Sequence, residues 1–262
     1  MKICRFQYQD ATHYGVIEGG TVTVLDAMPY NGIVKGEGKV ALEKVKLLPP
    51  AFPPNVIAIG TNYMGHIQES NVTPPERPLI FLKATSSVIG PGDAIQLPRI
   101  APDHVDYEAE LAVVIGKRAR HVSEEDALDY VFGYTCANDV SQRLCQKTLD
   151  RQWARGKSFD TFCPLGPWIE TEIADPQTLG IRSRLNGETM QDSNTGRLIF
   201  DVRKLISYIS DAMTLLPGTV ILTGTPDGVG DARDPAVYLQ AGDIIEIEID
   251  GVGTLTNPVV AE

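Results

Sequence analysis

The stretch Val105-Asp106-Tyr107-Glu108-Ala109-Glu110-Leu111-Ala112-Val113-Val114-Ile115-Gly116 constrains this chain more than any other. An apolar, β-branched run ending in glycine predicts a buried strand, yet its start carries two glutamates two residues apart. Strand alternation turns Glu108 and Glu110 to one face, while Ala109, Leu111, Val113 and Ile115 take the other. Two carboxylates on one patch repel at neutral pH, and one stays protonated unless a cation or a strong donor sits between them. A hard divalent cation such as Mg²⁺ or Mn²⁺ removes that repulsion and prefers oxygen ligands. The same spacing also describes a strand end emerging into solvent. Near the C-terminus Glu246 and Glu248 repeat the pattern in alternation with isoleucine, which predicts a half-exposed strand. The spacing alone leaves both readings open.

A chain of 262 residues, 43 % hydrophobic and 22 % charged, is long enough for one substantial core with a small appended domain. Its net charge of -11 and pI near 4.9 repel nucleic acid and anionic membranes, so neither is expected as a partner. An anionic substrate then needs a local cationic site. Cys4, Cys136, Cys145 and Cys163 form no CxxC pair, and the histidines have no ligand-like spacing to them, which excludes thiolate-held zinc. The chain shows neither a signal peptide nor an apolar run of membrane-spanning length, and a reducing, cytoplasmic location is expected.

Residues 1–50 read as short strands, Lys2 to Tyr8, Tyr14 to Ile17 and Thr21 to Leu25, forming a small β-rich N-terminal domain. Pro49-Pro50 and Pro53-Pro54 mark a boundary, and residues 51–262 form a second domain. The strand Asn55 to Ile59 runs into a loop or short helix. There His66 and Glu69, three apart, share a face if the segment is helical, as a general base and its orienting carboxylate do. A surface helix bearing both residues is the alternative. Asn71 to Pro78 is polar and proline-rich, as in a lid or mobile connection. Leu79 to Lys83 predicts another strand, with Lys83 either snorkelling to the surface, the commoner case, or standing as a cation near the site.

Ser123-x-x-Asp126 predicts a helix start continued by Ala127, Leu128 and Val131, and Val131 to Cys136 a further strand. Asp139, where the chain turns into a helix beginning near Ser141, is either a cap or a third oxygen ligand. That helix places Arg143 and Gln146 on one face. Arg155 to Asp160 concentrates positive charge, either as solvated loop cations or as a cationic site. A hairpin with an Asn186-Gly187 turn and a helix over Asp201 to Leu216 follow. Strand Thr219 to Leu222 then opens into a glycine-rich loop, Thr223 to Gly230. The loop lacks the Gly-Lys-Ser/Thr ending of a phosphate-binding loop, but its hydroxyls and amides can bind a carboxylate.

Taken together, Gly60-Thr61-Asn62-Tyr63-x-x-His66-x-x-Glu69, Asp106-Tyr107-Glu108-x-Glu110-Leu111, Asn138-Asp139-Val140-Ser141, Arg155-Gly156-Lys157-Ser158-Phe159-Asp160 and Leu222-Thr223-Gly224-Thr225-Pro226-x-Gly228-Val229-Gly230 occur in the order that resembles the fumarylacetoacetate hydrolase family. The resemblance runs from about residue 55 to the C-terminus and is to the short branch, which includes acylpyruvate hydrolases, oxaloacetate decarboxylases and isomerase/decarboxylases of hydroxydienoate intermediates. It implies an α+β, mainly β fold, a mixed β-roll, in a homodimer. It also implies Mg²⁺ or Mn²⁺ held by Glu108, Glu110 and Asp139. Lys157 is expected beside the metal, His66 and Glu69 as a dyad on a lid, and Arg143, Gln146 and Thr225 as substrate contacts.

These parts suit a small 2-oxo acid. Its carboxylate and keto oxygens chelate a hard cation, and cleaving an acylpyruvate or decarboxylating oxaloacetate leaves an enolate that needs the same electrostatic stabilisation. Lys157 adds positive charge, and His66 with Glu69 delivers water when the reaction is hydrolysis. The expectation is therefore a divalent-metal-dependent C–C hydrolase or decarboxylase. Two alternatives stand beside it: an isomerase of 2-hydroxydienoates using the same site, and a non-catalytic metal-binding protein of the same fold.

Overall fold

Strands β1 (Lys2–Tyr8), β2 (Ala11–Glu18), β3 (Thr21–Leu25) and β4 (Lys35–Ala41) form an antiparallel meander in the computed structural model, which describes residues 1–262. The chain continues through β5 (Val56–Gly60), α1 (Met64–Glu69), β6 (Leu79–Lys83), β7 (Ala109–Ile115), β8 (Val131–Asn138), α2 (Ala154–Lys157) and β9 (Cys163–Glu170). It closes with β10 (Gly180–Leu185), β11 (Glu188–Asn194), α3 (Val202–Ala212), β12 (Val220–Leu222), β13 (Ile244–Ile249) and β14 (Gly253–Ala261). One large sheet runs β4-β3-β2-β1-β9-β8-β7-β12-β5-β6, and a second runs β11-β10-β13-β14. The large sheet is mixed: β12 lies parallel to β5, and β7 antiparallel to both β8 and β12. The fold is mainly β, as expected.

Strand β7 lies at the centre, and its alternation explains why. Leu111, Val113 and Ile115 join Ile181, Ile245, Ile247 and the α3 residues Leu205, Ile206 and Ile209 in the larger core. Ala112 and Val114 point the other way, into a second core with Val56, Ala58, Phe81, Val220 and Leu222. A strand covered on both faces has no solvent side, which is why the run is apolar throughout rather than alternating. Helix α3 presents one apolar stripe to the core, and Asp201 caps it by accepting from Lys204 N at 2.8 Å. The β10–β11 hairpin turns through Asn186 and Gly187, both at positive φ, as its Asn-Gly pair predicts.

Several local expectations change. The glutamate strand is interrupted: Val105–Asp106 pairs with Ser141–Gln142, and the main ladder resumes at Ala109. Side chains replace the ladder at the break, since the Tyr107 N–H donates to Asp106 Oδ1 at 2.8 Å and the Glu108 N–H to Asn138 Oδ1 at 3.0 Å. Ser123 does accept from the Asp126 N–H at 3.1 Å, but only a 3₁₀ turn, Ala127–Tyr130, follows. Val131 starts β8 instead, because pairing with β7 and β9 outweighs helix propensity. The expected α-helix from Ser141 is a short bridge and then a π-helical turn, Cys145–Leu149. Helix α3 ends at Ala212, short of Leu216. Strand β4 and the short strand Lys46–Leu48, unexpected from their lysine and glycine content, extend the N-terminal meander. That meander joins the large sheet through β1–β9 pairing. No helix is long and apolar enough to cross a membrane.

Truncating Leu111 removes side-chain volume from the centre of the larger core, so L111A should lower unfolding free energy by about 2–5 kcal/mol in urea denaturation. Ile100→Ala, at a 76 % exposed site, should change it by less than about 0.5 kcal/mol.

Candidate active site

The antiparallel register of β7 and β8 sets Ala109 opposite Asn138, which brings Glu108 and Asp139 side by side; the Asp139 N–H donates to the Glu108 carbonyl at 3.0 Å. Glu110, two residues on, points to the same side as Ala112 and Val114. Ligand oxygens of Glu108, Glu110 and Asp139 lie within 4.8 Å of one another, and all three residues are buried.

Cations reach this cluster from three elements. Lys157, the last residue of α2, donates to Glu108 Oε2 at 2.8 Å and to Asp139 Oδ2 at 2.7 Å. Arg143 Nη1 lies 2.6 Å from Glu108 Oε1, and its Nε donates to Asp106 Oδ2 at 2.8 Å. Lys83, expected at the surface, is 3 % exposed; its Nζ donates to Asp139 Oδ1 and, at 3.3 Å, to the Val140 carbonyl. Strand β6 ends directly beside the carboxylates, and an ion pair there offsets the cost of burying the ammonium.

Four buried carboxylates, Asp106, Glu108, Glu110 and Asp139, thus face three buried cations, and the one left without a cationic partner is Glu110. It accepts only the Gly224 backbone N–H, at 2.6 Å. Burial pushes the Glu110 carboxyl well above its ordinary value, and the Asp139 and Glu108 charges push it further. Burial acts the same way on Glu108, but the Lys157 and Arg143 charges more than reverse it and hold that carboxyl below its usual range. Lys157 is raised: burial opposes its charge, and the Asp139 and Glu108 carboxylates outweigh burial. Three convergent oxygen donors, one of them without a cationic partner, suit a hard divalent cation, so Glu108, Glu110 and Asp139 can hold one.

On the other side stands α1. His66 Nδ1 lies 2.6 Å from Glu69 Oε1, and the second Glu69 oxygen accepts the Gly228 N–H at 2.7 Å. The entrance to α1 is pinned by Asn62, which donates to the Thr223 and Phe200 carbonyls at 2.8 and 2.9 Å. Gly228 sits at φ +98°, and a Cβ there would meet the Met190 carbonyl at 2.3 Å, so only glycine fits this approach.

A cavity of about 560 Å³ is lined by all nine residues singled out from the sequence: His66, Glu69, Glu108, Glu110, Asp139, Arg143, Gln146, Lys157 and Thr225. Arg143 and Gln146 do face each other, with Nη1 donating to Gln146 Oε1 at 2.9 Å, Gln146 standing on the π-helical turn and Arg143 just before it. Arg155, by contrast, is exposed and paired with Asp150 at 2.7 Å. Sequence reasoning missed Asp106 and Asn62 as parts of the site and favoured the surface for Lys83. Asp106 and Asn62 stood inside the recognised motifs. Lys83 closed an apolar strand, a weak signal.

Residues 55–260 match the model of the fumarylacetoacetate (FAA) hydrolase C-terminal family. The chain belongs to that family. Residues 1–50 match a second model, Rv2993c-like, N-terminal. Among curated family members, oxaloacetate tautomerase fahd2, mitochondrial, of Xenopus laevis is 47 % identical over 93 % of this chain and 76 % of its own length. The 2,4-didehydro-3-deoxy-L-rhamnonate hydrolase of a Sphingomonas species is 43 % identical, covering 99 % of this chain and 96 % of its own. A crystal structure of 5-carboxymethyl-2-hydroxymuconate delta-isomerase from Mycobacterium smegmatis superposes with a TM-score of 0.91 at 41 % identity, covering 100 % of both chains. Family members are enzymes, tautomerase, hydrolase and isomerase among them, and this chain is an enzyme of that family.

The Glu110 charge has a measurable cost. A carboxyl whose folded-state pKa is raised contributes stability below its ordinary value of 4.5 and loses it as pH rises through the folded value. In EDTA at neutral pH, E110Q should therefore melt several degrees above the parent protein, by calorimetry. The difference should vanish near pH 4.

Proposed function

We propose that this enzyme cleaves a carbon–carbon bond in a small 2-oxo acid, hydrolysing an acylpyruvate or decarboxylating oxaloacetate, with Mg²⁺ or Mn²⁺ at Glu108, Glu110 and Asp139. The observation that carries the reading is Glu110, a buried carboxylate beside two others with no cationic partner, in a cavity that also holds a His–Glu pair. A divalent ion at this site supplies Lewis acidity toward the keto and carboxylate oxygens of a 2-oxo acid.

The chain's own residues account for the rest. Lys157 stays protonated between Glu108 and Asp139, a fixed positive charge where the substrate's carboxylate arrives and where enolate charge grows as the bond to C3 breaks. Glu69 accepts Nδ1–H of His66, which leaves Nε2 as the proton acceptor. In hydrolysis His66 takes a proton from the water that attacks the distal carbonyl; the C–C electron pair goes to the 2-oxo fragment, and the proton is returned to C3. In decarboxylation the pair left at C3 by departing CO₂ takes a proton from solvent, relayed through His66 Nε2. The Gly228 N–H holds Glu69 in place during both.

A second reading, tautomerisation or isomerisation of a 2-oxo acid, uses the same residues without C–C cleavage, as His66 moves a proton between C3 and the keto oxygen or between two carbons. The relatives named tautomerase and isomerase favour it. Oxaloacetate, acetylpyruvate and fumarylpyruvate, each with Mg²⁺ and with EDTA, test both, and NMR of the products separates cleavage from isomerisation. EDTA should abolish turnover; activity that survives it overturns the metal assignment. His66→Ala should lower kcat by about 10²–10⁴-fold. An unchanged kcat places the base elsewhere.

A further inference from the structure

Gln191 is 1 % exposed on β11 and takes no part in the chemistry above, yet its amide makes four hydrogen bonds. Oε1 accepts from the Ala109 backbone N–H at 2.9 Å and from Ser183 Oγ at 3.0 Å. Nε2 donates to the Pro226 carbonyl at 2.8 Å and lies 2.8 Å from Thr225 Oγ1. The two backbone groups settle which end of the amide is which. A backbone N–H only donates and a carbonyl only accepts, so flipping the amide would set N–H against N–H and oxygen against oxygen. Nε2–H therefore donates to Thr225, and the threonine oxygen is the acceptor.

A threonine hydroxyl has a single proton. With Gln191 on one of its lone pairs, that proton points elsewhere, and no protein acceptor takes it. Thr225 lines the same cavity as Glu110 and Lys157. Ala109, held by the other end of the same amide, lies between Glu108 and Glu110. One side chain thus sets the direction of the hydroxyl and ties it to the backbone between the two glutamates.

We infer that Gln191 is a positioning residue that turns the Thr225 hydroxyl into a hydrogen-bond donor for an anionic oxygen of the substrate. The inference rests on the proposed reading of the site as one for a 2-oxo acid. Losing one hydrogen bond to a charged group corresponds to roughly a 10- to 100-fold change in binding.

The test is a double-mutant cycle on the full chain with Mg²⁺ and oxaloacetate, read alongside side-chain amide NMR. T225V should raise KM by at least about tenfold, with the effect on KM rather than kcat. Q191M should do the same, and the double variant should add nothing to T225V. T225S, which keeps the hydroxyl, should reverse most of the rise in KM seen in T225V. A parental KM in Q191M, or additive effects, overturns the inference. In the NMR spectrum both Gln191 Nε2 protons should be shifted downfield and protected from exchange, and T225V should release one of them. Two unprotected protons overturn the inference whatever the substrate. If Q191M does not fold, T225V and the parent spectrum still decide it. Protected protons in a protein that turns over no 2-oxo acid would instead fail the proposed function alone.

Discussion

Glu110 is the buried carboxyl that the protein leaves without a cationic partner, and much of the architecture serves to hold it there. An unpaired buried carboxylate costs several kcal/mol, so it persists only where the surrounding structure cannot yield. Strand β7 meets that condition because both of its faces are packed, Leu111 and Val113 into one core, Ala112 and Val114 into the other. Glu108 and Asp139 each have lysine or arginine partners, which settle their charges. Those partners leave the deficit on one residue rather than spreading it.

The loop from Thr223 to Gly230 ties the parts of the site together through its backbone. The Gly224 N–H reaches Glu110, the Gly228 N–H reaches Glu69, and the Gly230 N–H reaches Asp106 at 2.8 Å. Such approaches leave no room for side chains: a Cβ at Gly230 would lie 1.9 Å from the Val237 carbonyl. The glycine content that looked like a candidate anion loop in the sequence instead serves carboxylates of the protein itself. Thr225, between these glycines, is the residue whose side chain remains available to a ligand. Asp106 works on the same principle in reverse, gathering N–H groups from Tyr107, Gly230 and Asp231 and the Arg143 guanidinium, so the interrupted strand is anchored where the ladder stops.

The sequence by itself determined the central strand, the sharing of a face by Glu108 and Glu110, the His66–Glu69 spacing and the order of motifs that identifies the family. Each of these is set by neighbours along the chain, through strand alternation or a single helical turn. Periodicity also located α3 and the Asn186–Gly187 hairpin, because an apolar stripe and a positive-φ turn are local properties. Helix propensity misled at Val131 and Ser141, where pairing with distant strands decided the outcome.

Only the tertiary structure decided that Lys83 is buried against Asp139, that Glu110 is the carboxylate left without a cation, and that Gln191 orients Thr225. These facts depend on contacts between residues 34 to 114 positions apart, Gln191 to Thr225 the nearest and Glu110 to Gly224 the farthest. A lysine at a strand end or a glutamine in a hairpin reads the same in sequence whether solvent or a carboxylate lies beyond it. Burial and partner are properties of the packed sheets, and they turned a set of plausible residues into one site with a defined charge.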